Sequence, residues 1–146
     1  MQDRKLDEVK EFLNGAYRSN EIIKELMQEL EYLKCTKDSL ASSLKETSKG
    51  GAGGNAPYVK LIEKIIEREN IIIKKQDECL KIRISLRDMI NNVENVTYNL
   101  VLEKRYLQFY TFENIAAELN YTTRSIYRIH KKALCAFLNA NQNKMI

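Results

Sequence analysis

The chain has 146 residues, 44% of them apolar and 30% charged, which allows one or two small domains with modest cores. Aromatics other than its eight tyrosines are few, which favours long exposed helices over a compact α/β globule. No apolar run approaches the roughly 18 residues of a membrane span, and the charged start at Asp3, Arg4 and Lys5 leads into no apolar signal segment, so a cytoplasmic protein is expected.

In chain order, residues 3–46 come first. They lack proline and strand-like alternation. Val9, Phe12, Ala16, Ser19, Ile23, Leu26, Leu30, Leu33, Lys37, Leu40 and Leu44 follow unbroken steps of three and four. That is a heptad seam with two polar interruptions, Ser19 and Lys37. One helix of that length spans roughly 65 Å and needs a partner helix. Gly15 costs about 1 kcal/mol relative to alanine, so a local bend or close packing is expected there.

Thr47 to Ala56, TSKGGAGGNA, holds four of the five glycines. A glycine-rich run cradles phosphate when Lys-Ser/Thr follows, but here Pro57-Tyr58-Val59 follows, so 47–56 reads as a flexible hinge. Pro57 suits the first position of a second long helix over 57–91. Its apolar residues, from Leu61 and Ile62 through Ile65, Ile66, Ile72, Ile73, Cys79, Leu80, Ile82, Ile84, Leu86, Met89 and Ile90, cover more surface than one seam needs. Folding back on the first helix as an antiparallel hairpin uses one side. The excess suggests a second partner, either another protomer or the C-terminal module, and homodimerisation through the hairpin is expected. Glu69, Gln76 and Arg83 fall beside the stripe, where polar residues fix register.

Residues 91–95, NNVEN, form a polar joint, which divides the chain into a hairpin over 1–95 and a C-terminal module over 96–146. That module carries seven cations against three anions, a net +4 equal to that of the whole chain. A basic module on a neutral remainder points to a polyanion contact at one end. Its expected core is Val101, Leu102, Tyr106, Ile115, Ala116, Leu119, Ile126, Ile129, Ala133, Leu134 and Phe137. At about 50 residues it is near the lower limit for independent folding, so docking against the hairpin is expected.

The module's centre is Glu103 to Leu134. Thr111 offers an N-cap, Glu113 suits the dipole in the first turn, and Phe112, Ile115, Ala116 and Leu119 share one face. Asn120 stands where the chain turns left-handed, and Thr122 or Thr123 caps a further helix over 123–138. At 100° per residue, Ile126, Ile129, His130, Ala133 and Phe137 cluster on one side of that helix. Arg124, Arg128 and Lys131 fall on the other, with Tyr127 at the edge. Two helices joined by so short a turn, the second basic, form a helix-turn-helix signature. The duller reading is an ordinary solvated cationic face.

These residues resemble region 4 of sigma-70-type factors, with Leu102, Arg105 and Tyr106, then Thr111, Ile115, Ala116 and Leu119, then Lys131, Lys132, Ala133 and Leu134. The wording is closer still to small phage and prophage regulators of the ArpU and RinA late-gene activator kind, in which Tyr127, Arg128, His130, Ala133 and Leu134 match a typical ending. One departure is Phe109-Tyr110, where relatives usually carry a glycine-containing turn. The resemblance implies an all-α fold and activation of late, packaging or lysis genes, with double-stranded DNA and host RNA polymerase as partners.

At the groove we expect Arg124, Tyr127, Arg128 and Lys131, and nearer phosphate Thr122, Thr123, Lys132 and Arg105. No enzyme site, metal or cofactor is expected. His130, the single histidine, lies on the apolar side, and no metal-spaced cluster, nucleophile elbow or P-loop is present. Cys35, Cys79 and Cys135 are odd in number and far apart, which suits buried or half-buried residues in a reducing compartment. The leading reading is a sequence-specific transcription regulator. A small-terminase-like packaging protein is the alternative, and a coiled-coil adaptor that meets an acidic protein is a weaker third.

Overall fold

The computed structural model describes residues 2–46 and 56–144. They form six helices: α1 (Gln2–Leu13), α2 (Gly15–Glu46), α3 (Ala56–Asn91), α4 (Val96–Tyr106), α5 (Phe112–Leu119) and α6 (Thr123–Ala140). Among the described residues there is no strand, and the fold is all-α. No helix of the described residues is long and apolar enough to cross a membrane.

The first long helix is interrupted at Asn14. Hydrogen bonds from Asn14 N–H to the Lys10 carbonyl (2.9 Å) and from Arg18 N–H to the Asn14 carbonyl (3.0 Å) carry on through the break, so α1 and α2 form one bent helix. Asparagine and glycine in succession are both weak helix formers, which is reason enough for a bend. Close packing is not what retains Gly15, since a Cβ there would sit 3.7 Å from Ile82 Cγ2, an ordinary contact. The expected glycine-rich hinge lies outside the described residues, apart from Ala56, with which α3 opens one residue earlier than expected.

Packing groups the chain into two compact units, residues 20–78 and residues 1–19 with 79–146. This differs from a division at residue 95, because the C-terminal module recruits α1 and the end of α3. Leu6, Val9 and Leu13 of α1 and Leu86, Met89 and Ile90 of α3 share one core with Leu102, Tyr106, Leu107, Ala133, Leu134 and Phe137. A module of about 50 residues cannot bury enough apolar surface alone, and these segments supply the rest.

In the 20–78 unit, α2 and α3 pair along the expected seam. Ile23, Ile65 and Ile72 are buried, and Leu26, Leu30, Leu33, Lys37 and Leu40 are half-buried. Glu29 pairs with Arg68 at 3.5 Å and Lys34 with Glu69 at 3.7 Å, one on each flank. Exposed pairs of this kind add little stability, so the seam dominates. Two residues depart from expectation. Phe12 is 39% exposed because Leu13 takes the buried place beside it, and Cys35 is exposed because it points away from the seam.

In the other unit, Asn95 caps α4 by accepting from Tyr98 N–H at 3.1 Å. Asn141, 2% exposed, ties the end of α6 to the end of α3: its amide donates to the carbonyls of Met89 (2.9 Å) and Phe137 (3.0 Å). Its oxygen accepts from Asn92 at 2.9 Å.

The α4–α5 turn explains the departure at Phe109. That residue holds the left-handed conformation, with φ at 62°, which glycine adopts without strain. Its ring meets Tyr17 edge-on at 5.5 Å and lies beneath the Arg83 guanidinium at 5.7 Å. The strain is offset by these contacts, which dock the turn on α2 and α3. Phe109→Ala keeps the strained backbone and loses the ring, whereas Phe109→Gly loses the ring and relaxes the backbone. Phe109→Gly should therefore be the more stable of the two by about 1 kcal/mol, the reverse of the usual helix or strand order. Urea denaturation of both variants checks this.

Candidate nucleic-acid interface

Three residues, Asn120 to Thr122, separate α5 from α6. Thr111 caps α5 by accepting from Asn114 N–H at 3.2 Å. Asn120 ends α5 in the left-handed region (φ 62°, ψ 40°), and the N–H groups of Asn120 and Tyr121 both reach the Ala116 carbonyl. Thr122 then caps α6 by accepting from Ser125 N–H at 3.1 Å. One first-turn N–H of each helix and the Ala116 carbonyl at the end of α5 thus find nearby partners across the turn.

Beneath the turn, Val101, Ile115, Ala116 and Ile126 make a small core of their own, flanked by Tyr110, Phe112, Leu119 and Ile129. Further along α6, His130, Ala133, Leu134 and Phe137 are buried. The opposite face presents Arg124, Tyr127, Arg128, Lys131 and Lys132, all exposed, with Thr122 exposed and Thr123 half-buried at the start of the helix. Seven of the eight residues expected at the site therefore stand on one helix and its cap.

Arg105 is placed differently. Its guanidinium donates to the Tyr110 carbonyl at 3.0 Å and lies 4.2 Å from the Phe112 ring centre. It braces the α4–α5 turn. Phe112 in turn packs at a tilt against Tyr127, with ring centres 4.7 Å apart, and meets His130 edge-on at 4.8 Å. Tyr127 rests one side on Phe112 yet stays 51% exposed, so its free side is open to a ligand.

His130 is 6% exposed, and its Nε2 lies 2.6 Å from the Tyr106 hydroxyl. Burial, with Lys10 and Arg105 nearby, lowers its pKa from 6.5 to about 4, so it is a neutral core residue at neutral pH. Burial likewise pushes the Tyr106 phenol up. The unfolded chain binds a proton at His130 below about pH 6.5 and the folded chain only below about pH 4, so stability present above pH 6.5 is lost as the pH falls through that window. The loss attributable to His130 is on the order of 3 kcal/mol at pH 4. Comparing urea midpoints at pH 7 and pH 4.5 tests this, and His130→Gln should show a smaller drop.

Sequence reasoning placed α1 in the hairpin and so missed its contribution here. α1 packs beside α6, and a groove of about 290 Å³ runs between Asp3, Leu6, Asp7 and Lys10 on one side and Tyr127, His130, Lys131 and Leu134 on the other. Asp3 lies 3.7 Å from Lys131, and both are well exposed. No local pattern links positions 3–10 to 127–134. On α4, Lys104 bonds Glu118 at 2.8 Å, which raises its pKa and leaves it out of the cationic face.

Among the described residues, no group of three or more histidine, cysteine, aspartate or glutamate side chains could hold a metal ion. Residues 39–139 match a family described as a protein of unknown function, DUF1492. The match covers more than two thirds of the chain, which belongs to that family. No curated protein and no solved structure gives a match.

Proposed function

We propose that this member of the DUF1492 family is a sequence-specific DNA-binding transcription regulator, an activator of phage or prophage genes that acts in the bacterial cytoplasm. The supporting observation is α6. It is held by a capped three-residue turn, Ile126, His130, Ala133, Leu134 and Phe137 are buried on its apolar side, and Arg124, Tyr127, Arg128 and Lys131 stand exposed along the other side. A helix that enters the major groove needs this division, because early exposed residues reach base edges while the back stays fixed. Arginine pairs bidentately with a guanine edge and lysine mostly meets phosphate, so Arg124 and Arg128 are the readers with Lys131 beside them at the groove, while Lys132, Thr122 and Thr123 set position. A Tyr127 ring with one side free can pack against the sugar–phosphate edge or a thymine methyl group. Host RNA polymerase enters this reading as the partner through which activation runs, on the resemblance to sigma region 4 alone.

The test compares the intact chain with Arg124→Ala/Lys131→Ala for binding to duplex DNA from the flanks of its own gene. Both side chains are exposed, so the helical circular dichroism should be unchanged while specific binding is lost. Equal binding by the two proteins would place the interface elsewhere. Binding that ignores sequence would favour the packaging reading.

A further inference from the structure

We propose that the exposed apolar strip along α3 is the seat of a second copy of this chain, with α3 packed against its counterpart in antiparallel fashion. Val59, Ile66, Ile73 and Leu80 recur every seven residues and are 48%, 53%, 62% and 56% exposed. The residues that face the core, Ile65, Ile72 and Cys79, repeat with the same period one position earlier and are buried. A seven-residue apolar repeat is the pattern that another helix follows by supercoiling around the first. The missing occupant is therefore a helix, in register for about 32 Å.

The even spacing permits a second copy as that helix, and the flanking charges select it. The strip is symmetric about the midpoint between Glu69 and Asn70: Val59 and Leu80 lie equally far from it, as do Ile66 and Ile73. Antiparallel pairing thus sets Ile66 against Ile73 of the other copy and Val59 against Leu80, the self-complementary match that a two-fold interface requires. The charges agree with this register. On the outer flank, Lys74 of one copy comes level with residue 65 of the other, between Glu63 and Glu67, and symmetry repeats the contact. Asp77 beside Glu63, and Glu69 of each copy beside the two-fold axis on the other flank, are the like-charged approaches that these attractions must outweigh. Exposed Asn70 falls near the two-fold axis, where a polar residue fixes register.

The 20–78 unit has reason to recruit such a partner. Among its described residues Ile23, Ile65 and Ile72 are the buried ones, a thin core for two helices of this length. Two hairpins packed through α3 make a four-helix arrangement with an inner layer. The proposal stands apart from the DNA reading and is tested without DNA.

Light scattering on the full chain at tens of micromolar should give twice the 17.1 kDa chain mass. Ile66→Glu/Ile73→Glu should return the single-chain mass with helical content retained. Direction is read in a Cys35→Ser/Cys79→Ala/Cys135→Ser background. There, Ile66→Cys mixed with Ile73→Cys should form a disulfide between the two variants several-fold faster than either forms with itself. A single-chain mass for the unaltered protein, a dimer that survives the double glutamate variant, or faster linking of like with like would each overturn the proposal.

Discussion

Phe137→Ala should be the most damaging single truncation in the chain, with a loss of about 3–5 kcal/mol. The ring is fully buried where three parts of the sequence meet: Leu6, Val9 and Leu13 from α1, Leu86, Met89 and Ile90 from α3, and Leu102 and Tyr106 from α4. The Phe12 ring lies 6.4 Å away, centre to centre. No single neighbour can move into the space without leaving another contact, so the cavity term adds to the lost transfer energy. Domains of this size are stable by only about 5–15 kcal/mol, so the variant should lose a large share of its stability. Urea denaturation measures it directly. A loss below about 1 kcal/mol would mean that α1 and the end of α3 do not share a core with α6.

Arg124→Ala and Lys132→Ala should weaken DNA binding in different ways. Arg124 is the first exposed cation of α6, one residue past Thr123, where a docked helix comes nearest to the base edges. Its removal should cost about 1–3 kcal/mol on the preferred site, with little loss on unrelated DNA, so that preference narrows. Lys132 stands two turns further along the helix and exposed, placed for phosphate. Its loss should weaken all sequences alike and reduce the slope of log K against log salt by about 1. Titrating each variant against preferred and random duplexes at several salt concentrations separates the two. The same loss of preference in both variants would contradict the assigned roles.

Most of the helical architecture was legible from period and caps. Thr111, Asn120 and Thr122 each perform the capping role that their position suggested, and ten of the eleven residues in the expected seam of the first helix are buried or half-buried. Local signals of this kind depend on a few neighbouring residues, so one sequence suffices to find them. What escaped was the long-range packing. Nothing local joins α1 to α6 or tells that Asn141 will close the end of α3 through the Met89 carbonyl. Phe109 departs from the resembling pattern in the sequence alone, but a left-handed phenylalanine becomes intelligible only with Tyr17 and Arg83 around its ring. Spacing sufficed to place the α6 cations on an exposed side, whereas the basic character of Arg105 does not disclose that Phe112 and the Tyr110 carbonyl hold it.

Whether α6 reads DNA is decided by a salt series. The full chain is titrated with duplex fragments from the flanks of its own gene, in the presence of excess random competitor. Saturable binding to one segment is expected, with log K falling linearly as log salt rises, by roughly 0.9 for each phosphate contacted. Absence of binding at the lowest salt would contradict it, and Arg124, Arg128, Lys131 and Lys132 would then be no more than a solvated face.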